Sequence, residues 1–426
     1  MMNTSHNRQH DRKPSRALLW TLGLGLTLLV MMPNGFVARL QAQAPDPSTL
    51  PPPPQASSPT LPSEGDPEIV QTLVPILQKH NLPAAAAAWI TSDGIQKIGV
   101  AGVRKRGSDV PATLKDLWHI GSNTKAMTAT LTALMVEKGL LDWQTRVGEI
   151  MSQNEWAISI HPDLESVTVT QLLTHRAGFP SNLPWHDILP AAPRRAQRRE
   201  AARRALQTEP EFQPGSTAQY SNLGYVVLGA MLESKTGKSW EDLMRSMLFQ
   251  PLGMNSAGFG GIGSPGRIDQ PWGHLSGGSP IELNGPTADN APVLGPAGTV
   301  HCTLQDWSRF VLDQLRGFQG KEGLLSPESY QAIQSRHFEG EYSLGWVPLE
   351  RDWAGGTAYN HTGSNTMYFS NAWIAPNRDL AILVCVNQGL DAFEATDEIV
   401  AQIIELVAAE HAAQADQPSS PDILQQ

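Results

Sequence analysis

The chain has 426 residues, 40% of them apolar and 17% charged, which suits a large globular core and excludes a disordered or fibrous chain. A formal net charge of −10 argues against a nucleic-acid partner, and no basic stripe runs along the sequence. Two cysteines, Cys302 and Cys385, stand in apolar or small-residue surroundings and read as buried free thiols, with a disulfide between them as the alternative; no Cys/His cluster has metal-ligand spacing, so neither a metal nor another cofactor is expected.

Arg8, Arg12, Lys13 and Arg16 form a basic start, Ala17 to Met32 is an apolar run, and Ala42-Gln43-Ala44 is a small-residue cleavage site. Residues 1–44 therefore read as a signal peptide, or as an N-terminal anchor if uncleaved. Either reading predicts an exported protein, periplasmic or secreted, that touches a membrane only through that segment. Residues 45–65 are a Pro-rich linker, residues 66–411 a single catalytic domain, and residues 412–426 a polar tail expected to be disordered.

Asp66-Pro67 predicts a helix start, with Asp66 as the cap and Ile69, Val70, Leu73 and Leu77 on one face. Ala84 to Thr91 reads as a strand, Ser92-Asp93-Gly94 as a turn and Ile95 to Gly102 as the returning strand. Residues 123–335 are rich in helix patterns with long irregular connections. Strand signals return at Tyr342–Leu349, Thr357–His361, Met367–Ala375 and Leu380–Val386, and a helix from Asp391 to about Glu410 closes the domain. The predicted class is α/β: a mainly antiparallel sheet built from the N- and C-terminal segments, helices from both termini on one face, and a helix-rich inserted lobe on the other.

Three short strings carry the chemistry. Leu117 to Ile120 is extended, Gly121 allows a tight turn, and a helix pattern begins at Ala126, so Ser122 sits at a helix N-terminus where developing negative charge is favoured. Lys125 lies one turn on, and a buried lysine can lose its proton and act as a base. The plainer alternative is a capping serine with a solvated lysine. Tyr220-Ser221-Asn222 precedes an apolar helix: Tyr220 can shuttle a proton, and Asn222 can bond Lys125 and a substrate carbonyl, or the string is a turn with an Asn cap. His361-Thr362-Gly363-Ser364 ends one predicted strand and opens the next, or is a loop between strands. His361 can polarise Tyr220 or meet a substrate carboxylate, Thr362 lies beside it, and Gly363 admits substrate backbone. The Ser364 N–H can join that of Ser122 in an oxyanion hole.

Lys235-Thr236-Gly237 matches a familiar pattern but ends the helix begun at Asn222, where Gly237 is a stop signal and Lys235 a last-turn cation. Arg194, Arg195, Arg198, Arg199, Arg203 and Arg204 either form a solvated face paired with Glu200 and Glu209 or bind anions.

Together the strings resemble the serine β-lactamase-related hydrolases, a family that includes class C β-lactamases, D,D-carboxypeptidases, D-aminopeptidases and esterases. The resemblance spans about residues 67–410 and extends to Val169–Gly178, Pro214-Gly215, Pro251–Met254 and Pro296–Thr303 with Asp306 beyond. It implies that Ser122 is acylated, that Lys125 and Tyr220 move protons, that Asn222 positions substrate, and that the Ser122 and Ser364 amides hold the oxyanion. The third string departs from class C β-lactamases, which carry Lys where His361 stands. The expected activity is hydrolysis of an amide or ester bond, with a D-amino-acid peptide of cell-wall type or a β-lactam as first substrate class. The alternatives are a short-chain carboxylesterase and a non-catalytic receptor for penicillin or wall peptides.

Overall fold

The computed structural model describes residues 61–153, 156–340 and 342–415; the predicted signal peptide and most of the linker and tail lie outside them. Ten strands are present among the described residues: β1 (Ser63–Gly65), β2 (Ala84–Thr91), β3 (Gly94–Gly102), β4 (Leu117–His119), β5 (Gly258–Phe259), β6 (Val300–Thr303), β7 (Val347–Arg351), β8 (Gly356–Ser364), β9 (Phe369–Ala375) and β10 (Leu380–Val386). Seven of them make one antiparallel sheet in the order β1-β3-β2-β10-β9-β8-β7. The two chain ends meet at the β2–β10 pair, where Val386 opposes Ala85 and Ala381 opposes Ile90.

Both faces of this sheet are covered, which explains why β2 is an unbroken apolar run. Ala84, Ala86, Ala88 and Ile90 face the core shared with the helical lobe, while Ala85, Ala87 and Trp89 face the core under the terminal helices Pro67–Lys79 and Phe393–Ala415. The period of two is present, but both sets are buried, so polarity cannot reveal it. On the lobe side, helix Leu304–Phe318 packs against β2 and β10. Cys302 and Cys385 are free and buried, and burial pushes both thiols up, away from reactivity.

Several expectations are corrected. The sheet starts inside the predicted linker, because Ser63–Gly65 pairs with β3. Asp66 makes no side-chain cap; its carboxylate instead accepts from the Ile98 N–H at 2.7 Å. Residues 342–346 are not strand, and β7 begins only at Val347, after Gly345 turns the chain at φ +84°. β8 runs through Ser364, so the His361 string is strand throughout rather than a connection. The lobe holds a second antiparallel sheet, β4-β6-β5, unseen in strands of two to four residues. The last helix runs through Ala415, into the predicted tail.

The arginine-rich stretch is helix Arg194–Gln207, and Arg198 departs from both readings of it. Arg203 and Arg204 do pair with Glu200. Arg198, however, is fully buried and bonds Glu233 at 2.9 Å and Glu241 at 3.0 Å. Glu233 also accepts from the Trp240 N–H at 2.8 Å, so one guanidinium ties three successive helices together, among them Asn222–Thr236. Removing one partner of a buried ionic cluster leaves charge without compensation. Arg198→Ala is expected to cost about 3–5 kcal/mol in urea unfolding. A loss below about 1 kcal/mol would show that the cluster does not hold the lobe.

Candidate active site

The turn that carries Ser122 is set by close backbone approach. β4 ends at His119, Gly121 takes φ +50°, and a short 3₁₀ turn Gly121–Asn123 leads into helix Thr124–Glu137. No side-chain cap closes that helix, so the capping role considered for Ser122 is not used. β8 lies against the turn. A Cβ on Gly121 would sit 2.3 Å from the Ser364 nitrogen, and one on Gly363 would sit 2.1 Å from the Ile120 oxygen and 2.7 Å from the Ser122 nitrogen. Glycine at both positions is what brings the two amides onto adjoining backbone.

Lys125 is completely buried. Its Nζ lies 3.1 Å from Ser122 Oγ, 2.7 Å from Asn222 Oδ1 and 2.7 Å from the Ala297 carbonyl oxygen. Burial holds its pKa well below the ordinary lysine value. A neutral amine has two N–H groups and one lone pair; two carbonyl-type oxygens take the N–H groups, and the lone pair is left for the Ser122 hydroxyl proton. Tyr220 stands beside them, with Lys125 Nζ 4.7 Å from its ring centre. Burial pushes this phenol up, and the nearby Ser122 hydroxyl only partly counters it. Burial thus favours the uncharged form of both neighbours, the amine of Lys125 and the phenol of Tyr220.

Helix Asn222–Thr236 places Asn222 in its first turn, with Ser221 as the cap accepting from the Gly224 N–H. Asn222 Oδ1 serves Lys125, and its Nδ2 donates to Asn182 Oδ1 at 2.9 Å. The Trp185 indole donates to that same oxygen at 3.1 Å, so Asn182 and Trp185 border the site. The Ala297 carbonyl is delivered by the short helix Gly295–Gly298, whose Pro296 packs where Gly229 has no side chain; a Cβ there would come within 2.3 Å. Lys235 is exposed and Gly237 is the left-handed helix stop, as the sequence indicated.

His361 is placed differently from expectation. It is buried, and its Nδ1 lies 2.6 Å from the Thr362 carbonyl oxygen, to which it must donate. Nε2 therefore accepts, and Tyr342 O–H supplies the proton at 2.9 Å. Burial first and Lys125 second pull this imidazole down to about 3, so it is neutral. Both nitrogens are committed within the protein, with no bond to Tyr220. Thr362 and Ser364 alternate with the buried His361 and Gly363 and are half-buried. Tyr342 was missed because it lay in a stretch read as strand. Its one signal was Gly345, where a Cβ would come within 2.7 Å of Ala126 Cα.

Behind Tyr220 lies His175, held at φ +60° after helix Val169–Leu173. Its ring centre is 4.4 Å from that of Tyr220 and 4.5 Å from that of Tyr342, and its Nδ1 accepts from the Ser221 N–H at 3.1 Å. Burial keeps this ring neutral too.

The beta-lactamase family model matches residues 69–404. The chain belongs to the beta-lactamase family. With that membership come the α/β fold and the general serine-hydrolase, acyl-enzyme chemistry of the β-lactamase and penicillin-binding-protein superfamily. Penicillin-binding protein 4 of Amycolatopsis lactamdurans is 28% identical over 346 residues, covering 75% of this chain and 84% of the relative. An unguisins hydrolase of Aspergillus campestris is 25% identical; the match covers 64% of this chain and only 51% of that protein. The octameric penicillin-binding-protein homologue from Pyrococcus abyssi shares the fold at a TM-score of 0.61 and 22% identity, over 75% of this chain and 73% of that one.

The packing of β8 on the nucleophile turn yields a direct test. Gly363→Ala should force the strand away from Ser122, and displacements of about 1 Å cost on the order of 100-fold in rate. Turnover by the folded variant should fall by at least about that factor, whereas retention within about threefold would show that the contact is slack.

Proposed function

We propose that this chain is an exported serine hydrolase that acylates Ser122, with a D-amino-acid peptide or a β-lactam as its first substrate class. The observation that carries the catalytic part is the Lys125 amine, with two oxygens at 2.7 Å and Ser122 Oγ at 3.1 Å. In the proposed sequence the Ser122 proton passes to Lys125 Nζ as Oγ bonds the carbonyl carbon. The resulting oxyanion sits between the Ser122 and Ser364 N–H groups. Collapse breaks the bond to the leaving group, which takes the Tyr220 proton, and the Lys125 ammonium restores it to Tyr220. Water then attacks the acyl-enzyme, loses a proton to the same pair, and releases acid and free Ser122.

The reading is supported by the names of two relatives, one a penicillin-binding protein and one an unguisins hydrolase matched over 51% of its length. The exported location rests on the basic and apolar pattern of residues 1–44. A second reading, a short-chain carboxylesterase, is favoured by one observation: the neutral His361, tied to Tyr342 and Thr362, offers no cation to an anionic substrate. A receptor without turnover would have no use for a buried base.

The test is a panel of nitrocefin, D-Ala-D-Ala peptides and p-nitrophenyl esters, run with a fluorescent penicillin on the wild type and Ser122→Ala. The first reading expects turnover of peptide or nitrocefin that Ser122→Ala reduces to background. Ester turnover alone would establish the second reading, and persistent penicillin labelling with no turnover of any substrate would overturn both.

A further inference from the structure

The oxyanion pair poses a problem of assembly. Ser122 follows β4, Ser364 ends β8, and the two nitrogens must face one oxygen although far separated in sequence. A buried polar chain outside the proton-transfer set joins the two places. His119, the last residue of β4, is fully buried, and its Nδ1 accepts from the Gly121 N–H at 3.1 Å. A ring accepting at Nδ1 carries its proton on Nε2. That Nε2 lies 2.9 Å from Asp289 Oδ1, at an angle off the N–H direction, so the contact is electrostatic rather than a well-aligned hydrogen bond. Asp289 is itself buried, with 2% of its side chain exposed.

The same Asp289 Oδ1 accepts from Asn365 Nδ2 at 2.8 Å. Asn365 follows Ser364 directly, and its own Oδ1 accepts from the N–H groups of Met367 at 3.2 Å and Tyr368 at 3.0 Å, folding the connector between β8 and β9. Ser364 Oγ closes the same connector, accepting from the Thr366 N–H at 2.9 Å and donating to the Tyr368 carbonyl at 2.7 Å. One carboxyl oxygen therefore meets the nucleophile turn through His119 and the end of β8 through Asn365.

We propose that Asp289 and His119 are positioning residues that hold the Gly121–Ser122 turn and the Ser364 end of β8 in register, so that both N–H groups face the same oxyanion. The proposal rests on Ser122 as the nucleophile. Neither residue touches substrate; both act through backbone. Loss of the brace misplaces donors that matter in the transition state, so it lowers kcat and spares KM.

The experiment uses the full chain, the best substrate of the panel, and phenylboronic acid as a stable tetrahedral adduct of the serine. His119→Ala should lower kcat about 10- to 100-fold and weaken phenylboronic acid by a similar factor, with KM within about threefold. His119→Asn, whose Oδ1 can take the place of Nδ1 toward the Gly121 N–H, should recover part of both. Asp289→Asn keeps the volume and should lose about three- to tenfold in kcat, which tests the brace even if His119→Ala does not fold. Folded variants with unchanged kcat and boronate affinity, or with a change in KM alone, would overturn the proposal. Ser122→Ala separates the two failures: an active Ser122→Ala removes the nucleophile and the brace with it, whereas an inactive Ser122→Ala beside unaffected His119 and Asp289 variants removes the brace alone.

Discussion

A lysine with no access to water organises this molecule. Desolvation of a fully buried ammonium can shift a lysine by several pKa units, and among the described residues nothing of opposite charge contacts Nζ to offset it; its neighbours are an amide oxygen, a peptide carbonyl and a hydroxyl. Ser122 Oγ can accept from an ammonium or donate to an amine, so it is the loss of hydration that favours the neutral amine, whose lone pair then faces the Ser122 hydroxyl. Tyr220 is driven the other way by the same burial, and the ring of neutral His175, His361 and Tyr342 adds no charge that would reverse either assignment.

Meeting that constraint takes four pieces of chain that are distant in sequence. The nucleophile turn, the start of helix Asn222–Thr236, the Ala297 carbonyl and strand β8 must all arrive before the site exists. The β2–β10 pairing joins the two ends of the domain, so the sheet that carries β8 closes only when the last strand is in place. Such non-local closure is slow relative to helix formation. The Arg198 cluster supports the lobe side of this arrangement, and paired glycines support the strand side.

Much of this could be read from residues alone. Ser122, Lys125, Tyr220 and Asn222 converge as their order and local context suggested, and β2 and β10 have the limits their apolar runs indicated. The failures have physical causes. A proline-led helix looked capped by Asp66, but the carboxylate found a better-placed donor on Ile98 in the neighbouring strand. β5 and β6 are too short to show a period. His361 was read as a free polar group because its partner, Tyr342, lies 19 positions away in an irregular stretch that resembled a strand. His119 and Asp289 carried no signal, since each is a lone polar residue whose meaning depends on a contact across the fold.

The pH dependence of acylation tests the neutral-amine account most directly. An amine base is active when unprotonated, so kcat/KM should rise with pH along a single limb and level off once Lys125 has lost its proton. Because burial lowers that pKa, the limb should lie well below the ordinary lysine value of 10.5. Substituting Lys125 by Ala should remove the limb together with about 10²–10⁴-fold of the rate. A limb at the ordinary lysine value, or one that persists in Lys125→Ala, would contradict the account.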